Sequence, residues 1–213
     1  RRSSDLPSSY RSVGGCRINR RMVAATAAMA RRTSVARIVP AATKRRAECG
    51  LGPMKPTAPV LISHAGLADA EDVWRLQRAA FRAEAELYGD DRIPPLMQTL
   101  DELVREFASK ICLKACDVDG RLVGAVRLQR QGATVLLGRL SVEPACQRQG
   151  IGSALLRAAE DVWPEAGRIE LFTGSRSVGN LRLYERHGYV RFREVATSTV
   201  TLVYLEKTLR TGA

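Results

Sequence analysis

The residues best placed to do chemistry lie between Leu140 and Ser153. There Leu-Ser-Val-Glu-Pro-Ala-Cys-Gln-Arg-Gln-Gly-Ile-Gly-Ser leads from a strand-like run into a helix-like run through a loop holding Gly150 and Gly152. A helix start leaves unpaired backbone NH groups and the positive end of the helix dipole, and glycines let a diphosphate approach the chain with no side chain in the way. One such end contributes on the order of 0.3 to 2 kcal/mol toward an anion. The same spacing also suits a plain tight turn between strand and helix. No Gly-Lys-Ser/Thr follows, so this is not a nucleoside-triphosphate loop, and the third glycine of the dinucleotide fingerprint is missing.

Other reactive side chains are sparse. Five cysteines stand at 16, 49, 112, 116 and 146 with no C-x-x-C pair, and the two histidines, His64 and His187, are far apart. Neither a zinc site nor a disulfide framework has the material, and a reducing cytoplasm is the expected compartment. Cys146 stands one residue before Gln147 and near a helix start, where thiols tend to acidify. It reads as a small loop residue, with a covalent acyl-cysteine route as the alternative.

These residues must be held by a framework that the sequence outlines. Val60 to Ser63 reads as a first strand. Asp69 opens a helix in which Val73, Leu76, Ala80, Ala83 and Leu87 form the apolar stripe, and Gly89 closes it. Asp90 to Pro95 reads as a rigid loop. Thr99-x-x-Glu102 is a capping box for a second, short helix. Three strands follow, 111 to 118, 122 to 129 and 134 to 142, joined by Asp119-Gly120 and Gln131-Gly132, which is the pattern of an antiparallel meander. After Pro144 the period changes to that of a helix stopped by Pro164. Then come a strand at 168 to 173, a short helix at 180 to 186 ended by Gly188, and two final strands at 189 to 195 and 199 to 207. The predicted fold class is α/β: a mixed, mostly antiparallel sheet with one parallel pair and about four flanking helices.

Composition agrees with one folded domain plus an appended segment. The 213 residues carry a net charge of +12. Of this, +10 falls on residues 1–53 and only +2 on residues 54–213. The first segment is Arg-, Ser- and Ala-rich, poor in acids and without a sustained apolar period. It cannot offset the roughly 1 to 2 kcal/mol per residue that ordering a backbone costs. It is expected to be a disordered leader, with upstream translated sequence, a transit peptide and a nucleic-acid-binding arm as the three readings. The last is the weakest, because Tyr10 is its sole aromatic residue. No run approaches the roughly 18 apolar residues of a membrane span, so no membrane partner is expected.

Two segments in register carry a resemblance. Gln147-x-x-Gly150-x-Gly152, preceded by Arg139-Leu-Ser-Val-Glu-Pro144, resembles the acetyl-CoA motif of the GNAT acetyltransferase superfamily. Asn180-Leu-Arg-Leu-Tyr184-Glu-Arg-His-Gly188-Tyr189 looks like that family's downstream segment. The resemblance spans about residues 58 to 209. It implies a GNAT-like fold in which the parallel strands splay around acetyl-CoA, and an enzyme moving an acetyl group to an amine of a small molecule or peptide by direct transfer. It further implies that Leu140 and Val142 pair through their backbone with the pantetheine arm. Gln147, Arg148, Gln149, Gly150, Ile151, Gly152 and Ser153 would hold the diphosphate, Asn180 would contact the cofactor, and Tyr184 would sit near the thioester sulfur. Glu84, Glu86 and Tyr88, just before the Ile93-Pro94-Pro95 loop, fall in the family's acceptor wall. The alternatives are a solvated helix face for these carboxylates and simple packing for Tyr184.

The reaction so implied makes a definite demand on the protein. A primary amine of pKa near 10.4 is neutral in only about one molecule in 2,500 at pH 7, equivalent to about 4.6 kcal/mol of barrier. A base should therefore take that proton, and a tyrosine of pKa about 10 is a reasonable acid for the departing thiolate. The base is not identified by the sequence. Where the histone-acetylating branch has a glutamate early on the central strand, this chain has Leu136. A regulatory module that binds acyl-CoA without turnover is the competing function, nucleic-acid binding through the leader a more remote one, and a homodimer is left open.

Overall fold

The computed structural model describes residues 37–39 and 59–209. Eight strands form one sheet: β1 (Arg37–Val39), β2 (Val60–His64), β3 (Ile111–Cys116), β4 (Leu122–Gln131), β5 (Thr134–Val142), β6 (Arg168–Gly174), β7 (Val190–Ala196) and β8 (Thr201–Thr208). Their spatial order is β1-β2-β3-β4-β5-β6-β8-β7. Five α-helices accompany them: α1 (Ala70–Tyr88), α2 (Pro94–Met97), α3 (Leu100–Glu106), α4 (Ile151–Glu160) and α5 (Val178–Arg186). Every neighbouring pair is antiparallel except β5 with β6, which are parallel, as the crossover through α4 requires.

Local chemistry explains most boundaries. Thr99 Oγ1 accepts the Glu102 NH at 3.2 Å while Glu102 Oε2 accepts the Thr99 NH at 2.9 Å, so the capping box that starts α3 is complete. Gly89 ends α1 at φ +64°, a left-handed position that glycine adopts without strain. β3 stops at Cys116, before the expected Val118, because Asp117 Oδ1 accepts the NH groups of Asp119 and Arg121 and closes the turn. The loop expected at Asp90 to Pro95 gives way to α2, for which Pro94 supplies a preset first-turn φ. This is the fifth helix beyond the four anticipated. Three residues of the basic segment form β1 against β2. The remainder of residues 1–53 lies outside the described residues, and with it the leader reading.

Helices cover the two faces unequally. On one face Leu155, Leu156 and Ala159 of α4 and Leu181 and Tyr184 of α5 pack on Leu113, Leu128, Val135, Leu137, Ile169 and Leu171. On the other, Ala70, Val73 and Leu76 of α1 and Leu103 of α3 pack on Cys112 and Ala125. A polar network pins this second layer. Arg127, only 4% exposed on β4, donates to Gln77 of α1, to Gln98 at 3.0 Å and to Glu106 of α3. Gln77 Nε2 in turn donates to the Pro95 carbonyl at 2.7 Å, which ties the α1–α2 connection to the sheet.

The feature that opens the sheet is a bulge in β5. The β4–β5 register passes from Ala125↔Ser141 to Arg127↔Gly138, so β5 carries one residue more than β4 there, and Arg139 sits at φ +54°. β5 pairs with β6 only from Thr134–Leu136 to Arg168–Glu170. Beyond those three residues the parallel strands part.

Candidate active site

The loop after β5 is built to present amides. Pro144–Cys146 form a 3₁₀ turn, Arg148 lies at φ +61° and Gly150 at φ +85°, and α4 begins at Ile151. No protein acceptor takes the backbone NH groups of residues 148–153 among the described residues. Left-handed residues set beside right-handed ones turn consecutive NH groups into one concavity, the arrangement that binds phosphate oxygens. Holding Arg148 there costs about 1 to 3 kcal/mol. The loop helps stabilise itself: Gln147 Nε2 donates to the Val142 carbonyl and Gln149 Nε2 to the Ala145 carbonyl, each at 3.3 Å. Ile151 anchors it in the core, and the Gly152 α-carbon faces Leu183 so closely that an added methyl would meet Cδ2 at 3.4 Å. Ser153 is half-buried, and Cys146 packs against the larger core.

Leu140 and Val142 are half-buried on the stretch of β5 that has left β6. Tyr184 is buried on α5, edge-on to Tyr189 with ring centres 6.0 Å apart. Burial, and then the negative charge of Glu84, push its hydroxyl well above the ordinary tyrosine pKa. It therefore stays protonated across the working pH range. Asn180, by contrast, is exposed in the first turn of α5; its backbone NH donates to the Ser177 carbonyl at 3.0 Å. The polar residue at the head of α5 that reaches inward is Ser177, which is buried and whose Oγ donates to Glu84 Oε1 at 3.0 Å.

Glu84 is the second centre of the site. The expected α1 stripe through Ala83 and Leu87 is out of phase: both are exposed, whereas Ala85 is buried and Glu84 and Tyr88 turn partly inward. Three turns at 3.6 residues each carry the face from the buried Gln77 to Tyr88, so the inward face runs through Gln77, Glu84 and Tyr88 and not through Ala83 and Leu87. Burial raises the Glu84 carboxyl above its ordinary pKa; the Ser177 hydroxyl, the Arg139 charge and the Gly174 NH oppose this without cancelling it. Tyr88 Oη accepts the Arg176 NH at 2.8 Å, and its ring lies against Gly174 so tightly that a Cβ there would stand 2.6 Å from Cζ. A side chain at position 174 would have to displace the Tyr88 ring. Glu86 is exposed and stands apart from this group.

The structure thus gathers Leu140, Val142, the 147–153 loop, Tyr184, Glu84 and Tyr88 around the parted strands, and leaves Asn180 and Glu86 facing solvent. It adds Ser177 and Gly174, which no motif flagged, and Arg139, which the motif included without a role of its own. Glu143 lines a separate cleft of about 420 Å³ under the first half of α1, with Asp72, Arg75, Lys114 and Arg121. No helix among the described residues is long and apolar enough to cross a membrane.

Known proteins resemble this chain in sequence and in fold. Mycothiol acetyltransferase of Clavibacter sepedonicus is 33% identical over 159 residues, covering 73% of this chain and 50% of that protein. The protein YqkA of Bacillus subtilis (strain 168) is 27% identical over 134 residues, 63% of this chain and 38% of its own length. The chain spans about half the length, or less, of these curated relatives. Among solved structures, the ribosomal-protein-S18-alanine N-acetyltransferase of Escherichia coli superposes with a TM-score of 0.60 at 15% identity, covering 72% of this chain and 96% of that one. The spermidine N-acetyltransferase of Vibrio cholerae, in complex with CoA and spermine, gives 0.58 at 14% identity, with 70% and 95% covered. At those identities the likeness is one of fold. The profile of the family described as Acetyltransferase (GNAT) family matches residues 70–189, more than half of the sequence, and the chain belongs to that family.

Proposed function

We propose that this chain transfers an acetyl group from acetyl-CoA directly to the amine of a small molecule or peptide. The observation that carries this reading is the parting of β5 from β6 after Leu136, with six open NH groups at the loop end and Tyr184 and Glu84 on the flanking helices. The residues present suit the co-substrate. The NH groups of residues 148–153 would hold its diphosphate, and the unpaired run of β5 through Leu140 and Val142 would take its amide-bearing arm as an added strand. When bound, acetyl-CoA supplies an acetyl group activated as a thioester.

The chain's own groups then divide the remaining work. The Glu84 carboxylate, held by Ser177 and Gly174, draws in a cationic amine and takes its proton, the task for which a raised carboxyl pKa is suited. The Tyr184 hydroxyl, neutral at every working pH, offers a proton on the side where a thiolate must leave. Arg139, the bulge residue, keeps a positive charge near Glu84 and limits how far its pKa rises. The test is release of the CoA thiol from acetyl-CoA across a panel of primary amines. Amine-dependent release supports the reading, and binding of acetyl-CoA with no release for any amine overturns it in favour of a regulatory binding module.

A further inference from the structure

The face of the sheet beside the site carries an aromatic stripe that the transfer chemistry leaves unexplained. Arg127 lies on the α1 face and pairs with Gly138, so Leu136, two residues earlier, also faces α1. Leu136 pairs with Glu170, which puts Glu170 on that face, and Phe172 shares it two residues further on. Phe172 stands opposite Tyr204 of β8, their ring centres 5.4 Å apart. Across the register slip between Arg191 and Arg193, Phe192 of β7 adds a third ring, 6.2 Å from Tyr204. The Arg193 guanidinium lies 4.0 Å from the Tyr204 ring centre and covers one face of that ring, which leaves Phe172 and Phe192 as the exposed members of the stripe. α1 and α3 pack over β3, β4 and β5, and Phe172 and Phe192 remain 39% and 43% exposed.

The stripe is continuous with the site. Phe172 lies on the half of β6 that has parted from β5, two residues before Gly174, whose NH is bonded to Glu84. Tyr88 covers Gly174 on the same face, so a ligand with its ammonium at Glu84 would carry its body past the Tyr88 ring to Phe172. The rings meet tilted and edge-on, at 38° and 69°, and such a cluster attracts another aromatic ring in the same offset or edge-on contacts while presenting few hydrogen-bonding partners to a hydroxylated or polyamine chain. A second copy of the chain is a poor occupant. Any antiparallel self-pairing of β7 centred on residue 192 or 193 sets arginine against arginine, from Arg191 and Arg193, a charged edge of the kind that resists strand addition.

We infer that Phe172, Tyr204 and Phe192 form the acceptor-binding surface and select a primary amine carried on an aromatic ring, with Glu84 receiving the amine; this rests on the acetyl-transfer reading above. The experiment is calorimetric binding of 2-phenylethylamine and of n-propylamine to the full chain saturated with CoA. The phenyl compound is expected to bind at least tenfold more tightly. Phe172→Ala should abolish that preference, while Phe172→Leu, which keeps apolar volume and so guards the fold, should retain part of it. Equal affinity of the two amines, or an unchanged preference in Phe172→Ala, overturns the inference. So does a dimer in sedimentation that Phe172→Ala disperses, since the stripe would then belong to a second copy. Thiol release measured on the same samples separates the two readings. Ring-dependent binding without release supports the surface and overturns transfer, and release with equal affinity for both amines does the reverse.

Discussion

Replacing Glu84 by Gln tests the proton path and has a magnitude that can be worked out. Gln keeps the size of the side chain and a carbonyl for the Ser177 hydroxyl, which now bonds Oε1 at 3.0 Å, but it removes the base. Losing a positioned base costs about 10² to 10⁴ in rate. Without one, the reaction depends on amine that is already neutral, and that fraction climbs from about one in 2,500 at pH 7 to about one in 11 at pH 9.4 for an amine of pKa near 10.4. The gain is roughly 230-fold over that interval. Steady-state kcat/KM for a primary amine, followed by thiol release, should thus be about 10²-fold lower than in the parent at pH 7, and most of the gap should close by pH 9.4. A deficit that is the same at both pH values, or none at pH 7, would refute Glu84 as the proton acceptor. Stability supplies a control. Burial raises the folded carboxyl above the ordinary 4.5, so the native chain holds this proton more tightly than the unfolded chain does. Stability then falls as pH rises from 4.5 through the raised value, and Gln, which cannot ionise, should leave the thermal midpoint at pH 8 unchanged or higher.

Tyr184→Phe should lower turnover by about 10² to 10⁴ by the same factor from pH 6 to 9, because the hydroxyl never ionises there, with little change in the calorimetric affinity for acetyl-CoA; turnover within a few-fold of the parent would reduce Tyr184 to packing. Gly150→Val forces a branched residue to φ +85°, so affinity for acetyl-CoA should fall strongly and the midpoint by the equivalent of about 1 to 2 kcal/mol; unchanged affinity by calorimetry would sink the assignment of the loop. Arg127→Met takes one partner from Glu106, which keeps Lys110, and leaves the buried Gln77 Oε1 without a donor, and should cost about 1 to 3 kcal/mol in denaturant unfolding. Burial raises the Glu106 pKa, but Arg127 and Lys110 pull it below the ordinary value, so the parent loses that stabilisation as pH falls through the lowered value and the variant should lose less of it. Removing residues 1–53 takes away β1 and ten net positive charges, and is expected to keep the midpoint within a few degrees and to abolish any salt-sensitive nucleic-acid binding; a much lower midpoint would show that the pairing of β1 with β2 is needed for the domain's stability.

What was legible in the sequence was local. Thr99 with Glu102, Gly89 after Tyr88, and the paired glycines of the 147–153 loop each complete their geometry within a few residues, so residue type and spacing suffice. What was not legible depends on contacts far apart in the chain. Ser177 and Glu84 meet across 93 positions, and Arg127 finds Gln77 across 50, in a strand where Val126 and Leu128 on either side read simply as core. Asn180 carries the expected motif and stands exposed in the first turn of α5, which begins two residues before it. The phase of α1 escaped for a different reason. Alanines at 79, 80, 83 and 85 give no contrast between faces, so only packing decides that Ala85 is buried and Ala83 is not.

The bulge at Arg139 is the residue pattern with the largest consequence and the weakest signal. One extra residue in β5 breaks its alternation between the faces, bends the strand away from β6 after Leu136, and so unpairs the stretch that holds Leu140 and Val142. The same insertion places the Arg139 charge close enough to Glu84 to temper its pKa. A non-glycine residue at φ +54° costs about 1 to 3 kcal/mol, and the Ser141 hydroxyl, which donates to the Arg139 carbonyl at 3.1 Å, helps to hold it there. The strain is stored where the strands must open. Deleting one residue at the bulge would relax it, and would also let β5 continue its pairing with β6 across the region where the proposed co-substrate has to lie.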